Sequence, residues 1–109
     1  MRAERLKGHL ELLLLATIAA EPAHGYRILE RLRERSEGAF DLAEGTLYPA
    51  LYRLERAGLV SSRWSTAAGR RRRTYRLTRR GRTALAAERR EWDLFSQAVG
   101  RVTATVGPA

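Results

Sequence analysis

Nine arginines lie between Arg56 and Glu88, at Arg63, Arg70, Arg71, Arg72, Arg73, Arg76, Arg79, Arg80 and Arg82, with no acidic residue among them. Guanidinium groups are permanent cations whose planar forks match phosphate oxygens, so the chemistry available here is recognition of a polyanion. The excess is local. Residues 1–58 hold nine Lys/Arg against nine Asp/Glu, whereas residues 59–109 hold twelve against three, so the formal net charge of +9 lies in the second half. Its centre, Ala68-Gly69-Arg70-Arg71-Arg72-Arg73-Thr74-Tyr75-Arg76-Leu77-Thr78, joins a turn signal to an alternating run. That pattern predicts a basic hairpin rather than a basic tail, and nucleic acid is the first partner it suggests.

Other chemistries are poorly supplied. The absence of cysteine removes disulfides, thiolate metal sites and a cysteine nucleophile. His9 and His24 are the only imidazoles, and no carboxylate cluster completes a metal site around them. Ser61, Ser62 and Ser65 have no base and orienting acid at catalytic spacing, so neither an enzyme nor a cofactor is expected. The apolar run over 12–20 is far shorter than the ~20 residues that span a bilayer. Glu4, Glu11 and Glu21-Pro22 fit a signal peptide badly, and the basic segment lacks the apolar stripe of an interfacial helix. A cytoplasmic protein without a membrane partner is expected.

A chain of 109 residues with 44% apolar and 30% charged content builds one compact unit. Helical spacing of Leu6, Leu10, Leu13, Leu14, Thr17 and Ile18 predicts a helix over 3–20, broken by Glu21-Pro22. A second helix over about 24–36 buries Tyr26, Ile28, Leu29 and Leu32 and exposes Arg27, Glu30, Arg31, Glu34 and Arg35. The third carries Leu47, Ala50, Leu51 and Leu54 inward and Thr46, Tyr48, Pro49, Tyr52, Arg53 and Arg56 outward, closing at Gly58. Thr46 is its expected N-cap with Pro49 in the first turn; a start at Ala43 would place Pro49 inside the helix. Residues 59–64 and 74–77 alternate as two strands, and Thr78 caps a last helix to about Val102. Leu85, Trp92, Val99 and Val106, with Phe95 and Val102, give that helix an imperfect heptad seam suited to packing against a second copy. Residues 103–109 are expected to fray.

The expected fold is mainly α with a small β wing: a winged helix-turn-helix over 1–78, and a dimerisation helix over 79–109 in the same compact unit. In that arrangement Thr46, Tyr48, Tyr52 and Arg53 are placed for base edges or adjoining phosphates, and the wing arginines for phosphate or minor groove. An RNA-binding or architectural winged helix is the alternative, and it would not need the seam. Four arginines per subunit on phosphate would give a log–log salt slope near about −7 for a dimer.

His24-Gly25-Tyr26, the stretch Gly45-Thr46-Leu47-Tyr48-Pro49-Ala50-Leu51-Tyr52-Arg53-Leu54-Glu55, Gly58-Leu59-Val60, the arginine hairpin and Gly81 together resemble the PadR family of winged-helix transcriptional regulators, in its short form. The resemblance implies a homodimeric repressor of double-stranded DNA, dimerised through its first and last helices. It implies that Tyr26 and Tyr48 lie near the DNA backbone, Thr46 and Tyr52 face the groove, and Arg70, Arg71, Arg72 and Arg73 form the wing contact. Ala43-Glu44 stands where relatives often carry serine and proline, which removes the usual cap. Trp92 is similar to a tryptophan that stacks on planar compounds in multidrug-binding members, which suggests an effector pocket of Trp92, Phe95, Ser96 and Leu13. The seam accounts for Trp92 without a ligand, and Ser96 occupies the place where an acid would favour a cationic one.

Overall fold

The computed structural model describes Leu6 and residues 8–104. Among the described residues four helices and a small antiparallel sheet follow in the order α1 (Leu10–Ala20), β1 (Ala23–His24), α2 (Gly25–Arg35), α3 (Glu44–Arg56), β2 (Val60–Ala67), β3 (Arg70–Leu77) and α4 (Arg79–Thr103). The mainly α winged helix-turn-helix is as expected. The core is one cluster in which Leu14, Leu15 and Ile18 of α1 meet Ile28 of α2, Leu47 and Leu51 of α3, and Val60, Tyr75 and Leu77 of the sheet.

Several boundaries differ from the sequence expectation. A turn at Gly8-His9 precedes α1, because His9 adopts a non-helical backbone and caps nothing with its side chain; residues 1–5 lie outside the described residues. Ala23-His24 forms a third strand, giving the order β1-β3-β2, with Ala23 opposite Tyr75 and His24 opposite Thr74. Arg31, expected on a solvated face, is 7% exposed. Its Nη1 donates to the carbonyls of Thr17 at 3.0 Å and Glu21 at 2.7 Å. The last carbonyls of a helix have no partner within it, and Arg31 supplies one for α1.

Helix α3 begins earlier than Thr46. Ala43 is the N-cap without a side-chain bond, its carbonyl accepts from the N–H groups of Thr46 and Leu47, and Pro49 falls inside the helix. Leu47 lies in the buried stripe with Ala50, Leu51 and Leu54, and Pro49 sits on the exposed side of the helix. At the other end Ala57 is the C-cap. Gly58, at φ +78°, follows it, and the Leu59 N–H donates to the Leu54 carbonyl at 2.9 Å in a Schellman closure.

The hairpin is longer than the alternation suggested. Val60 pairs with Leu77 and the ladder runs to Ala67 opposite Arg70. Ala68 and Gly69 both have positive φ, 52° and 75°, as a type I′ turn between right-twisted strands demands. All four arginines therefore stand within a strand. Thr78 caps α4 as expected, accepting from the Gly81 N–H at 3.0 Å and donating to the Gly58 carbonyl at 2.6 Å. Gly81 itself is required: a Cβ there would collide with the carbonyl oxygen of Leu59. The seam position Val106 and most of the stretch expected to fray lie outside the described residues; within them α4 continues to Thr103.

Candidate nucleic-acid interface

The pleat of β3 sorts the arginines. Successive residues of a strand point to opposite faces, so Arg71 and Arg73 share the face of the buried Tyr75 and Leu77, while Arg70 and Arg72 share that of Thr74. On the first face β2 contributes Trp64, opposite Arg73. The Arg71 guanidinium lies 4.8 Å from the centre of the Trp64 ring and that of Arg73 5.8 Å from it, both cation–π distances.

Arg73 is also tied to the third helix. Its Nη2 donates to Glu55 Oε1 at 3.0 Å and its Nε to Ser62 Oγ at 2.7 Å, while Ser62 donates to Glu55 Oε2 at 2.7 Å. This closed set of three links the end of α3 to both wing strands.

Between α2, the start of α3 and the wing lies a groove of about 630 Å³, walled by Tyr26, Tyr48, Trp64 and Tyr75, by Arg70 to Arg73, and by His24-Gly25 at the head of α2. Tyr48 enters it across Gly25. A Cβ at Gly25 would overlap the Tyr48 hydroxyl, so this glycine is the space in which the phenol rests. Burial raises the pKa of Tyr75, which stays a neutral phenol under the wing.

Of the residues expected to contact nucleic acid, the groove gathers Tyr26, Tyr48 and Arg70 to Arg73. Thr46, Tyr52 and Arg53 lie outside it on the exposed side of α3, where Tyr52 is 62% exposed and its hydroxyl accepts from Arg56 Nη1 at 3.3 Å. Reasoning from sequence passed over His24, Trp64, Glu55 and Ser62 as site residues. Trp64 and Ser62 were within reach of the strand alternation, since both fall on the face of Val60 once the register is known. Nothing local to Glu55 marks it as the partner of a residue eighteen places on.

At the other end of the molecule, Gly8, His9, Leu12, Glu88, Glu91, Trp92 and Phe95 line a shallow cleft of about 270 Å³. Trp92 meets His9 edge-on at 5.1 Å and Phe95 at 6.1 Å. Leu13 and Ser96 do not line this cleft, while Glu88 and Glu91 supply carboxylates that Ser96 does not. Burial, then the charge of Glu11 across the α1–α4 contact, raises the pKa of Glu88. Phe95 at the cleft, and Val99 and Val102 beyond it, stay exposed on α4. Among the described residues no cluster could hold a metal ion, and no helix is long and apolar enough to cross a membrane.

A helix-turn-helix followed by a two-stranded basic wing defines the winged-helix class of nucleic-acid-binding proteins. Residues 14–87 match the transcriptional regulator PadR-like family, and the chain belongs to it. Transcriptional regulator Rv3488 of Mycobacterium tuberculosis is 37% identical over 95 residues, covering 86% of each protein. A PadR family transcription regulator of Clostridium difficile superposes with a TM-score of 0.79 at 32% identity, over 87% of this chain and 98% of that one. A transcriptional regulator of Clostridium thermocellum gives 0.83 at 25% identity, over 91% and 97%.

Proposed function

We propose that this regulator is a cytoplasmic homodimeric repressor that binds an inverted-repeat operator in duplex DNA and is released by a planar small molecule. The observation that carries the DNA reading is the groove between helix and wing, where four arginines and four aromatic rings converge with no carboxylate in the lining. Helix α3 enters the major groove with Thr46, Tyr52 and Arg53, while Tyr26, Tyr48, Arg70, Arg71 and Arg72 hold the backbone beside it. Arg73 serves this surface through Glu55. Three free wing arginines per subunit give six phosphate contacts per dimer and a log–log salt slope near about −5.

The dimer rests on the uncovered apolar seam of α4, where Trp92 is 42% and Phe95 57% exposed in the single chain. Two facing clefts would offer a planar ligand stacking on Trp92, and Glu88 and Glu91 would favour a cationic one. Saturable quenching by a planar cationic dye that survives Trp64→Phe and vanishes in Trp92→Leu tests the pocket.

Binding to the DNA upstream of its own gene, compared with a shuffled duplex at about physiological salt, tests the main reading. A preference of about a thousandfold is the expected result. Equal weak binding to both would refute an operator and favour an RNA-binding or architectural role.

A further inference from the structure

We propose that His24 is a phosphate ligand: its Nε2–H and the Arg72 guanidinium converge on one phosphodiester oxygen of the DNA backbone at the mouth of the groove. The inference rests on the DNA-binding reading above and adds a residue to it. It begins with the cap of α2, where the Arg27 backbone N–H donates to His24 Nδ1 at 3.3 Å. A neutral imidazole accepts at one nitrogen and donates at the other, so the cap fixes the proton on Nε2.

The sheet brings that Nε2–H to Arg72. Pairing of His24 with Thr74 sets the imidazole on the face of β3 that carries Arg72, and Arg72 Nη1 lies 2.9 Å from Nε2. A guanidinium has donors and no acceptor. With the proton on Nε2, two donors thus stand 2.9 Å apart and neither can accept from the other. The other tautomer only moves the conflict: Nε2 would accept from Arg72, but an Nδ1–H would then oppose the Arg27 N–H and the cap would be lost. A single anionic oxygen accepting from both Nε2 and Nη1 resolves it in place.

The surroundings select an anion. Arg70, on the same face of β3, extends the cationic wall, Tyr26 and Tyr48 line the same groove, and Glu30, whose charge reaches the ring, is occupied by Arg27 at 3.3 Å. Burial first, and Arg72 second, depress the imidazole pKa, which favours the neutral ring at physiological pH.

The test uses His24→Asn, whose side-chain oxygen can still cap the helix but which has no second nitrogen to offer. Against one duplex at fixed salt, His24→Asn should weaken binding about tenfold, as loss of a hydrogen bond to a charged group does. Its melting temperature should match the wild type, and it should add little to the loss already caused by Arg72→Ala. Wild-type affinity in His24→Asn, or losses from the two substitutions that multiply independently, would overturn the assignment. The intact protein gives a second reading that needs no variant. Long-range proton–nitrogen spectra of the His24 ring should show the proton on Nε2 and a shift of that nitrogen on adding duplex; an Nδ1-protonated ring would overturn it. Wild-type protein that binds no duplex at all would instead bring down the DNA reading on which the assignment stands.

Discussion

Two neighbouring arginines on the wing have different surroundings. Arg72 reaches into the groove with His24, whereas Arg73 is bound to Glu55 and Ser62 within the fold. Arg72→Ala should therefore shallow the salt slope by about 2 per dimer. Arg73→Ala should weaken binding with the slope nearly unchanged, whereas Glu55→Gln, which leaves the Arg73 charge unpaired, should steepen it. A slope that falls equally for both arginines would contradict the division. The histidine supplies a pH signature. Burial first, and Arg72 second, hold its folded-state pKa below the ordinary 6.5, so the stability that favours the neutral ring is complete above 6.5 and is lost as pH falls through the folded value. Thermal melts should show the wild type losing ground to His24→Asn as pH falls below 6.5; a constant gap would remove the linkage. At this scale the sequence was legible where a residue type announces its chemistry, as with the arginine run and the tyrosines of α3. It was opaque where the role is set by a partner. Neither Arg31 nor Arg73 differs locally from its neighbours, and only the tertiary fold gives one the carbonyls of α1 and the other the carboxylate of Glu55.

Among the elements, two helix ends carry residues poorly suited to their backbone. Ala43 caps α3 with no side-chain acceptor, and Glu37 follows α2 at φ 53° in a position that favours glycine. Ala43→Ser should stabilise the fold by about 1 kcal/mol, seen as a rise of roughly 4–8 °C in melting temperature. Glu37→Gly should add roughly 0.5–1 kcal/mol by relieving the left-handed strain, less the freedom glycine regains in the unfolded chain. The same melts test both, and an unchanged midpoint would refute either. Helix periodicity located all four helices because their buried stripes are long. It missed β1, since two residues cannot display an alternation, and it placed the start of α3 too late because Thr46 is the better capping residue. The Thr46 and Leu47 N–H groups both donate to the Ala43 carbonyl, which starts the helix there without a side-chain cap.

At the scale of the whole molecule the chain extends 62 Å in its longest direction against 27 and 20 Å in the others. Leu85 packs on the core, while Trp92, Phe95, Val99 and Val102 continue the heptad line into solvent. Phe95→Glu should yield a folded monomer by sedimentation, with operator affinity reduced at least about a hundredfold through loss of bivalent attachment. A dimer that persists would relocate the interface.

The junction at Thr78 gives that shape a mechanical meaning. Wing and long helix meet there, fastened by Thr78 to the Gly58 carbonyl and by the close seat of Gly81 on Leu59. A helix of 25 residues is about 37 Å long, so a tilt of about 5° at its far end displaces it by about 3 Å while the junction hardly deforms. In the proposed dimer each subunit would then turn as one piece, and an effector wedged between two such levers would be read as a change in the span between wings. Subunits with and without effector should superpose almost perfectly, while the distance between the two wing tips, followed by spin labels at Ala68, should change.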